Sequence, residues 1–184
     1  LGIDYFANVA ARLELSEISE KKISTGWEDV DDLCNGIGRQ ELILFTANSG
    51  VGKSVGMLNL AYNLLKQGLN GVYISLEMKD NLVAARLDSL ISRISGRDLA
   101  VNKLRVGEAI EAFKETTAHG RFFVKRMREN TTTANDILSY LRELESAEGF
   151  KPDFVVVDYL DLMQSVARHS GDNMFTKDKL VAEE

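Results

Sequence analysis

Residues 41–54 read ELILFTANSGVGKS, and this stretch decides what fold to expect for the rest of the chain. The run 42–45 is apolar throughout, which is typical of a buried strand. Gly50 and Gly52 then allow a tight turn. Apolar residues recur at helical spacing after the turn, namely Val55, Leu58, Ala61, Leu64 and Leu65. A strand, turn and helix in this order direct backbone N–H groups and the positive helix end at one point, which suits phosphate groups.

The stretch therefore predicts a phosphate-binding loop for a nucleotide. The loop comprises Ala47, Asn48, Ser49, Gly50, Val51, Gly52, Lys53 and Ser54. We expect Lys53 to reach the outer phosphates and Ser54 to bind Mg²⁺. The pattern G-x-x-x-x-G-K-[ST] begins with Gly where this chain has Ala47, which is tolerated if its φ is negative. The alternative is an ordinary strand, turn and helix with a surface lysine.

Composition places the chain among soluble globular domains. At 184 residues it has the length of about one domain, and 45% hydrophobic and 27% charged residues are ordinary for that class. Because no apolar run has the length of a membrane span, a cytoplasmic setting is expected. The single cysteine, Cys34, excludes an internal disulfide, and two isolated histidines make a zinc site implausible. A net charge of -6 argues against a broadly basic nucleic-acid surface but not against a local one.

The segment before the loop predicts two short helices. Residues 1–14 carry an apolar stripe, which could pack on its own domain or on a neighbouring subunit. Thr25 and Glu28 have capping-box spacing and predict a helix from Trp27 to about Asn35. Four acidic residues lie near the start of this helix, namely Glu28, Asp29, Asp31 and Asp32. Their interaction with the positive end of the helix dipole is a better explanation for them than a metal-binding cluster.

Strands and helices alternate after the loop. Strands are predicted at 72–76, 122–124 and 154–158. A helix is predicted at 80–94, and a less regular helical region follows it to about residue 118. A further helix is predicted to begin after Thr133, which would be its N-cap. Gly96 is expected to close the first of these helices. The alternation predicts an α/β fold with a mostly parallel sheet covered by helices on both faces.

Two acidic residues at strand ends are candidates for the chemistry. Asp158 follows a run of apolar residues, and we expect it to bind Mg²⁺ opposite Ser54. The alternative is a strand-end aspartate that caps a nearby loop. Hydrolysis also needs a base, and the position after Asp158, where one large class of ATPases has Glu, is Tyr159. Glu77, at the end of the second predicted strand, is the remaining candidate, with a simple strand-end carboxylate as the alternative.

Four segments are distinctive in combination, namely S-T-G at 24–26, A-N-S-G-V-G-K-S at 47–54, I-S-L-E-M at 74–78 and V-V-V-D-Y-L-D-L-M at 155–163. Together they resemble the ATPase domain of DnaB-type replicative DNA helicases, especially those of T4-like bacteriophages. The resemblance implies a RecA-like P-loop NTPase core, here truncated at the C-terminus. It also implies a hexameric ring that uses ATP or another NTP to move along single-stranded DNA in a bacterial or phage-infected cell. Primase and a helicase loader are the expected protein partners.

The resemblance also assigns roles along the chain. It implies that Lys53 and Ser54 bind phosphate and Mg²⁺, that Glu77 is the catalytic glutamate and that Asp158 is the second metal-binding acid. Residues 1–22 would be a linker helix and connector that docks on the adjacent subunit, and residues 23–184 the ATPase domain.

The DNA-contacting residues are less marked in the sequence. The resemblance places a channel loop at 165–176, so Arg168 and Lys177 are candidates for DNA contact. Residues 165–180 carry only one net positive charge, so a solvated loop is the alternative. A second candidate group is Lys125, Arg126 and Arg128, which otherwise form a solvated strand flank.

The family completes its site with groups expected after residue 184, namely a polar sensor, an arginine finger and a lysine. We therefore expect this chain to bind nucleotide but to hydrolyse it slowly. A RecA-type recombinase shares the core chemistry, and a non-motor loader or ATP-gated switch would use the same loop without needing Glu77 as a base. A small-molecule phosphotransferase would need an acceptor pocket and lid, for which the sequence has no signal.

Overall fold

The computed structural model describes residues 6–7, 9–10, 22–48, 50–116 and 118–165. The chain divides into two compact units, Leu1–Phe45 and Thr46–Glu184. Within the described residues, no helix has the length and apolar character needed to span a membrane.

The first unit contains a short helix, α1, at Glu28–Cys34. The predicted capping box is wrong, because the N-cap is Trp27 and Thr25 lies two residues before it. The carboxylate of Asp31 acts instead, accepting hydrogen bonds from the Ser24 hydroxyl at 2.5 Å and the Thr25 N–H at 2.8 Å. These bonds lower the pKa of Asp31. Among the described residues no group of acids, histidines and cysteines is arranged to hold a metal.

The predicted strand at 42–45 is also wrong. Residues 41–48 have no strand pairing, and Leu42 and Leu44 are 83% and 68% exposed. Just before the run, the Glu41 carboxylate accepts hydrogen bonds from the Gly38 N–H at 2.7 Å and the Lys22 ammonium at 2.5 Å. An apolar run forms a strand only when a neighbouring strand supplies hydrogen-bond partners. The residues of the run do not indicate whether such a neighbour is present.

The second unit alternates helices and strands as the sequence predicts. Its elements are α2 Lys53–Leu65, β1 Gly71–Ser75, α3 Asp80–Ser92, α4 Lys103–Thr116, β2 Phe122–Arg126, α5 Ala134–Glu148, β3 Phe154–Asp158 and a 3₁₀ turn Leu160–Leu162. In the described residues β1 is central in a three-stranded parallel sheet of order β2-β1-β3. Ser75 lies opposite both Arg126 and Asp158, so the three strands end at one edge.

Both faces of the sheet are covered, which confirms the predicted α/β class with a parallel sheet. Side chains alternate along β1, so Val72 and Ile74 pack in one cluster with Ile137 and Leu144 of α5. Tyr73 points to the other face and packs in a cluster with Leu58 of α2 and Val83 of α3. All five residues of β1 are buried, as expected for the central strand of a parallel sheet.

Helix ends follow the predictions in one place and depart from them in another. Thr133 caps α5 through a full capping box, in which its hydroxyl accepts from the Asp136 N–H and the Asp136 carboxylate accepts from the Thr133 N–H. Helix α3 ends at Ser92 rather than at the predicted Gly96, with Arg93 in the left-handed region at φ 57°. The Ser92 hydroxyl donates to the Asp88 carbonyl at 2.6 Å, and such local side-chain bonds compete with continued helix.

Candidate nucleotide site

The phosphate-loop stretch has the backbone that its glycines predict. Gly50 and Gly52 have φ values of 80° and 106°, and an added Cβ at either position would meet no atom within 4 Å. Glycine is therefore needed for conformation rather than for space. Ala47 does not have a positive φ, which is the condition for tolerating Ala at this position. Ser49 lies outside the described residues.

The loop leads directly into α2, with Gly52 as the N-cap. Among the described residues, no side chain caps this helix end. Lys53 and Ser54 are the first two helical residues, and both are half-buried. The first-turn N–H groups and the lysine therefore lie at the positive end of a 13-residue helix.

Asp158 is fully buried at the end of β3. Its Oδ2 accepts a hydrogen bond from the Tyr73 hydroxyl at 2.7 Å. Its Oδ1 is also buried and has no hydrogen-bond partner in the described part of the chain. Because a buried carboxylate oxygen is costly to leave unsatisfied, this atom fits a Mg²⁺ ion or a Mg²⁺-bound water.

The direction of Asp158 follows from strand register. Asp158 pairs with Ser75, and Tyr73 lies two residues earlier in β1, so all three side chains point to the face covered by α2 and α3. This is the face on which α2, the helix that follows the candidate phosphate loop, packs. Burial, followed by the hydrogen bond to Asp158, raises the pKa of Tyr73, so the hydroxyl remains a donor.

Tyr73 belongs to the candidate site although the sequence pattern alone did not identify it. A signal was present, because a tyrosine in an otherwise apolar buried strand needs a hydrogen-bond partner for its hydroxyl.

Glu77 lies two residues beyond β1 and its side chain is exposed. The adjacent Leu76 N–H donates to the Asp158 carbonyl at 2.8 Å, which holds the end of β1 against the end of β3. The Met78 N–H donates to the Ser75 hydroxyl oxygen at 2.9 Å and turns the chain after the strand. An exposed carboxylate at this edge can accept a proton from water.

Tyr159 connects these groups. The Lys53 ammonium lies 4.0 Å from the centroid of its ring. Burial, and then the negative charge of Glu77, raises the pKa of Tyr159. Asp161, Asp158 and Glu129 add smaller effects of the same sign. Tyr159 therefore contacts Lys53 and experiences the negative charges of Glu77 and Asp158 near the carboxyl edge of the sheet.

The predicted DNA-contacting residues divide into two groups. Arg168 and Lys177 lie outside the described residues. Lys125, Arg126 and Arg128 are exposed, and Arg126 is opposite Ser75 at the same edge of the sheet. The Lys125 ammonium lies 5.3 Å from the centroid of the Tyr140 ring. A DNA contact by this group stays a prediction.

Comparison with solved structures finds the same fold in two proteins. One is a DnaB-like replicative helicase described with its interactions with primase, with a TM-score of 0.72 and 18% identity, over 98% of this chain and 45% of that one. The other is described as an ATPase domain, with a TM-score of 0.68 and 20% identity, over 95% of this chain and 65% of that one.

Sequence comparison extends the likeness beyond the fold. The chain is 33% identical over 147 residues to the DnaB-like replicative helicase of Enterobacteria phage T4. The aligned region covers 78% of this chain and 31% of the phage protein. The chain thus spans about a third of the length of that relative. The family model for the DnaB-like helicase C terminal domain matches residues 22–181. The match covers most of the chain and all the elements from α1 to β3, and the chain therefore belongs to the DnaB-like helicase C-terminal domain family.

Proposed function

We propose that this chain is the ATP-hydrolysing motor domain of a replicative DNA helicase, using ATP and Mg²⁺. The observation that carries the proposal is that Lys53, at the start of α2, contacts the residue that follows Asp158, whose buried Oδ1 lacks a partner in the described residues. A cation for phosphate and an open carboxylate oxygen for a metal are what a nucleoside triphosphate with Mg²⁺ requires.

Each group has a separate task in binding. The N–H groups of the loop and the positive end of α2 bind phosphate oxygens, and the Lys53 ammonium contacts the outer phosphates. Ser54 and Asp158 would hold Mg²⁺, which when bound neutralises charge on the phosphates. Tyr73 occupies Asp158 Oδ2, so that only Oδ1 remains for the metal or its water.

Glu77 is the proposed base for hydrolysis. Water attacks the γ-phosphorus, its proton passes to the Glu77 carboxylate, and the bond to the bridging oxygen breaks to give ADP and phosphate. The exposed position of Glu77, one residue beyond the backbone bond between Leu76 and Asp158, supports this role. Tyr159 follows Asp158 and carries no carboxylate.

The proposal for the whole protein includes single-stranded DNA as the track and a hexameric ring as the assembly. Its support is family membership, together with the exposed basic group Lys125, Arg126 and Arg128 at the edge where the strands end. Primase and a helicase loader are proposed partners. Residues 1–22 are proposed as the linker and 23–184 as the ATPase domain.

A recombinase and a non-motor switch are less well supported, because the matched family and the phage relative are helicases. The base distinguishes a motor from a switch. A switch needs binding only, so Glu77→Gln would leave its function unchanged.

The first experiment tests the loop. Lys53→Ala should reduce ATP turnover by the full-length gene product by at least about 100-fold, since it removes a charge-stabilising donor at the phosphates. The matched control is Lys66→Ala, which removes a lysine just beyond the far end of the same helix. Equal losses in the two variants would contradict the proposal.

The second experiment tests the base. Glu77→Gln should lower DNA-stimulated turnover by about 100-fold or more while ATP binding by equilibrium dialysis stays within about twofold. Glu145→Gln, at an exposed position on α5, should retain full turnover. Normal turnover by Glu77→Gln would exclude it as the base, and absence of ATP binding by the wild type would exclude the motor itself.

A further inference from the structure

The ring of Tyr159 supports the ammonium of Lys53. The ammonium lies 4.0 Å from the ring centroid, within the distance of about 6 Å over which a cation is attracted to an aromatic face. Tyr159 directly follows Asp158, so this contact joins the cation of the loop to the strand that bears the candidate metal-binding acid.

Backbone hydrogen bonds hold the main chain from which the ring projects. The Tyr159 carbonyl accepts from the Leu162 N–H at 3.2 Å, and the neighbouring Asp158 carbonyl accepts from the Leu76 N–H at 2.8 Å. The residue is in extended conformation at the start of the 3₁₀ turn, and its side chain is half-buried. The main chain at Tyr159 is therefore held by one hydrogen bond to the residue after β1 and by one within the 3₁₀ turn.

The contact uses the aromatic face. A tyrosine hydroxyl normally titrates near pH 10, so at neutral pH the ring is uncharged and the attraction comes from its π electrons. A phenylalanine at this position would provide the same face. An aliphatic side chain of similar size would not.

We propose that Tyr159 is a positioning residue that holds the Lys53 ammonium at the phosphate loop before nucleotide binds. The inference rests on the proposed function, because it requires Lys53 to bind phosphate. A free lysine side chain loses rotamer freedom when it engages a ligand, and a lysine already held in place loses less. The ring thereby improves nucleotide affinity without contacting the nucleotide.

The test compares Tyr159→Phe with Tyr159→Leu by calorimetric titration of Mg²⁺–ATP into the 184-residue chain. Tyr159→Phe should bind within about twofold of the wild type, and Tyr159→Leu about two- to fivefold more weakly. In a Lys53→Ala background, Tyr159→Leu should cause no further loss, because the two residues act as one unit. If the leucine variant does not fold, as judged by thermal denaturation, Tyr159→Met provides the same loss of the ring.

A matched contact at the other end of α2 provides the control. The Lys66 ammonium lies 4.7 Å from the centroid of the Tyr62 ring, and Tyr62→Leu should leave Mg²⁺–ATP affinity unchanged. Unchanged or tighter binding by Tyr159→Leu would overturn the inference, as would an equal loss with and without Lys53. If the wild type does not bind Mg²⁺–ATP, the proposed function fails instead.

Discussion

The hydroxyl of Tyr73 offers a one-atom test of the buried site. Tyr73→Phe removes the donor that lies 2.7 Å from Asp158 Oδ2 and keeps the ring. Its packing against Leu58 and Val83 should be retained. Any loss of stability in this variant therefore reports on the hydrogen bond to the carboxylate.

The expected loss follows from the burial of both residues. A hydrogen bond to a charged group contributes about 1.5–3 kcal/mol, and both side chains are 0% exposed. Asp158 Oδ1 already lacks a partner in the described residues, so the variant would leave the carboxylate without any hydrogen bond there. We expect the free energy of unfolding to fall by about 2–3 kcal/mol. For a chain of this length, that lowers Tm by roughly 4–12 °C.

The assay is urea denaturation at neutral pH, analysed as a double-mutant cycle with Asp158→Asn. In the asparagine background the bond joins neutral groups, so Tyr73→Phe should cost only about 0.5–1.5 kcal/mol. Tyr140→Phe is the control, because Tyr140 is half-buried on α5 and its loss should stay within about 0.5 kcal/mol. A cost below about 0.5 kcal/mol for Tyr73→Phe, or the same cost in both backgrounds, would refute the reasoning.

Two further predictions concern the helix starts. Thr133→Ala removes half of the capping box of α5 and should lower the free energy of unfolding by about 0.5–2 kcal/mol in urea denaturation, whereas Thr133→Ser should restore most of it. Equal stability of the alanine and serine variants would show that the box contributes nothing. The Ser24 hydroxyl and the Thr25 N–H lower the pKa of Asp31 below its usual 3.8 in the folded state. The stabilisation is thus present above that value and lost as pH falls through the folded pKa. Asp31→Asn should therefore show a smaller drop in Tm than the wild type between about pH 5 and pH 2, with Asp32→Asn as the charge-matched control. If Tm falls as steeply with decreasing pH in Asp31→Asn as in the wild type, the hydrogen bonds to Asp31 are not the source of this pH dependence.

The sequence predicted much of this fold because the relevant signals are local. Glycines with positive φ in the loop, helical spacing of apolar residues after it, and a threonine with Asp136 three residues later all act within a few residues. Each therefore leaves a readable pattern in the chain. The family resemblance rests on such segments as well, and the match over residues 22–181 confirms it.

Local patterns were misleading where a group outside the pattern decides the outcome. The run 42–45 has the composition of a strand, yet no ladder partner binds it in the described residues. Thr25 and Glu28 have the spacing of a capping box, yet the Asp31 carboxylate takes the Ser24 and Thr25 donors. In both cases the competing or missing group could not be identified from the pattern alone.

By itself, the sequence determined the order of helices and strands after Gly52, and it identified the candidate phosphate loop and the candidate acids Glu77 and Asp158. Only the tertiary structure decided that the Tyr73 hydroxyl occupies one oxygen of Asp158 and that the Tyr159 ring lies under Lys53. The residues of each pair are 85 and 106 positions apart in the chain. Their contacts depend on the parallel register of β1 with β3 and on the packing of α2 against the sheet, which arise from burial of the whole core and not from any local pattern.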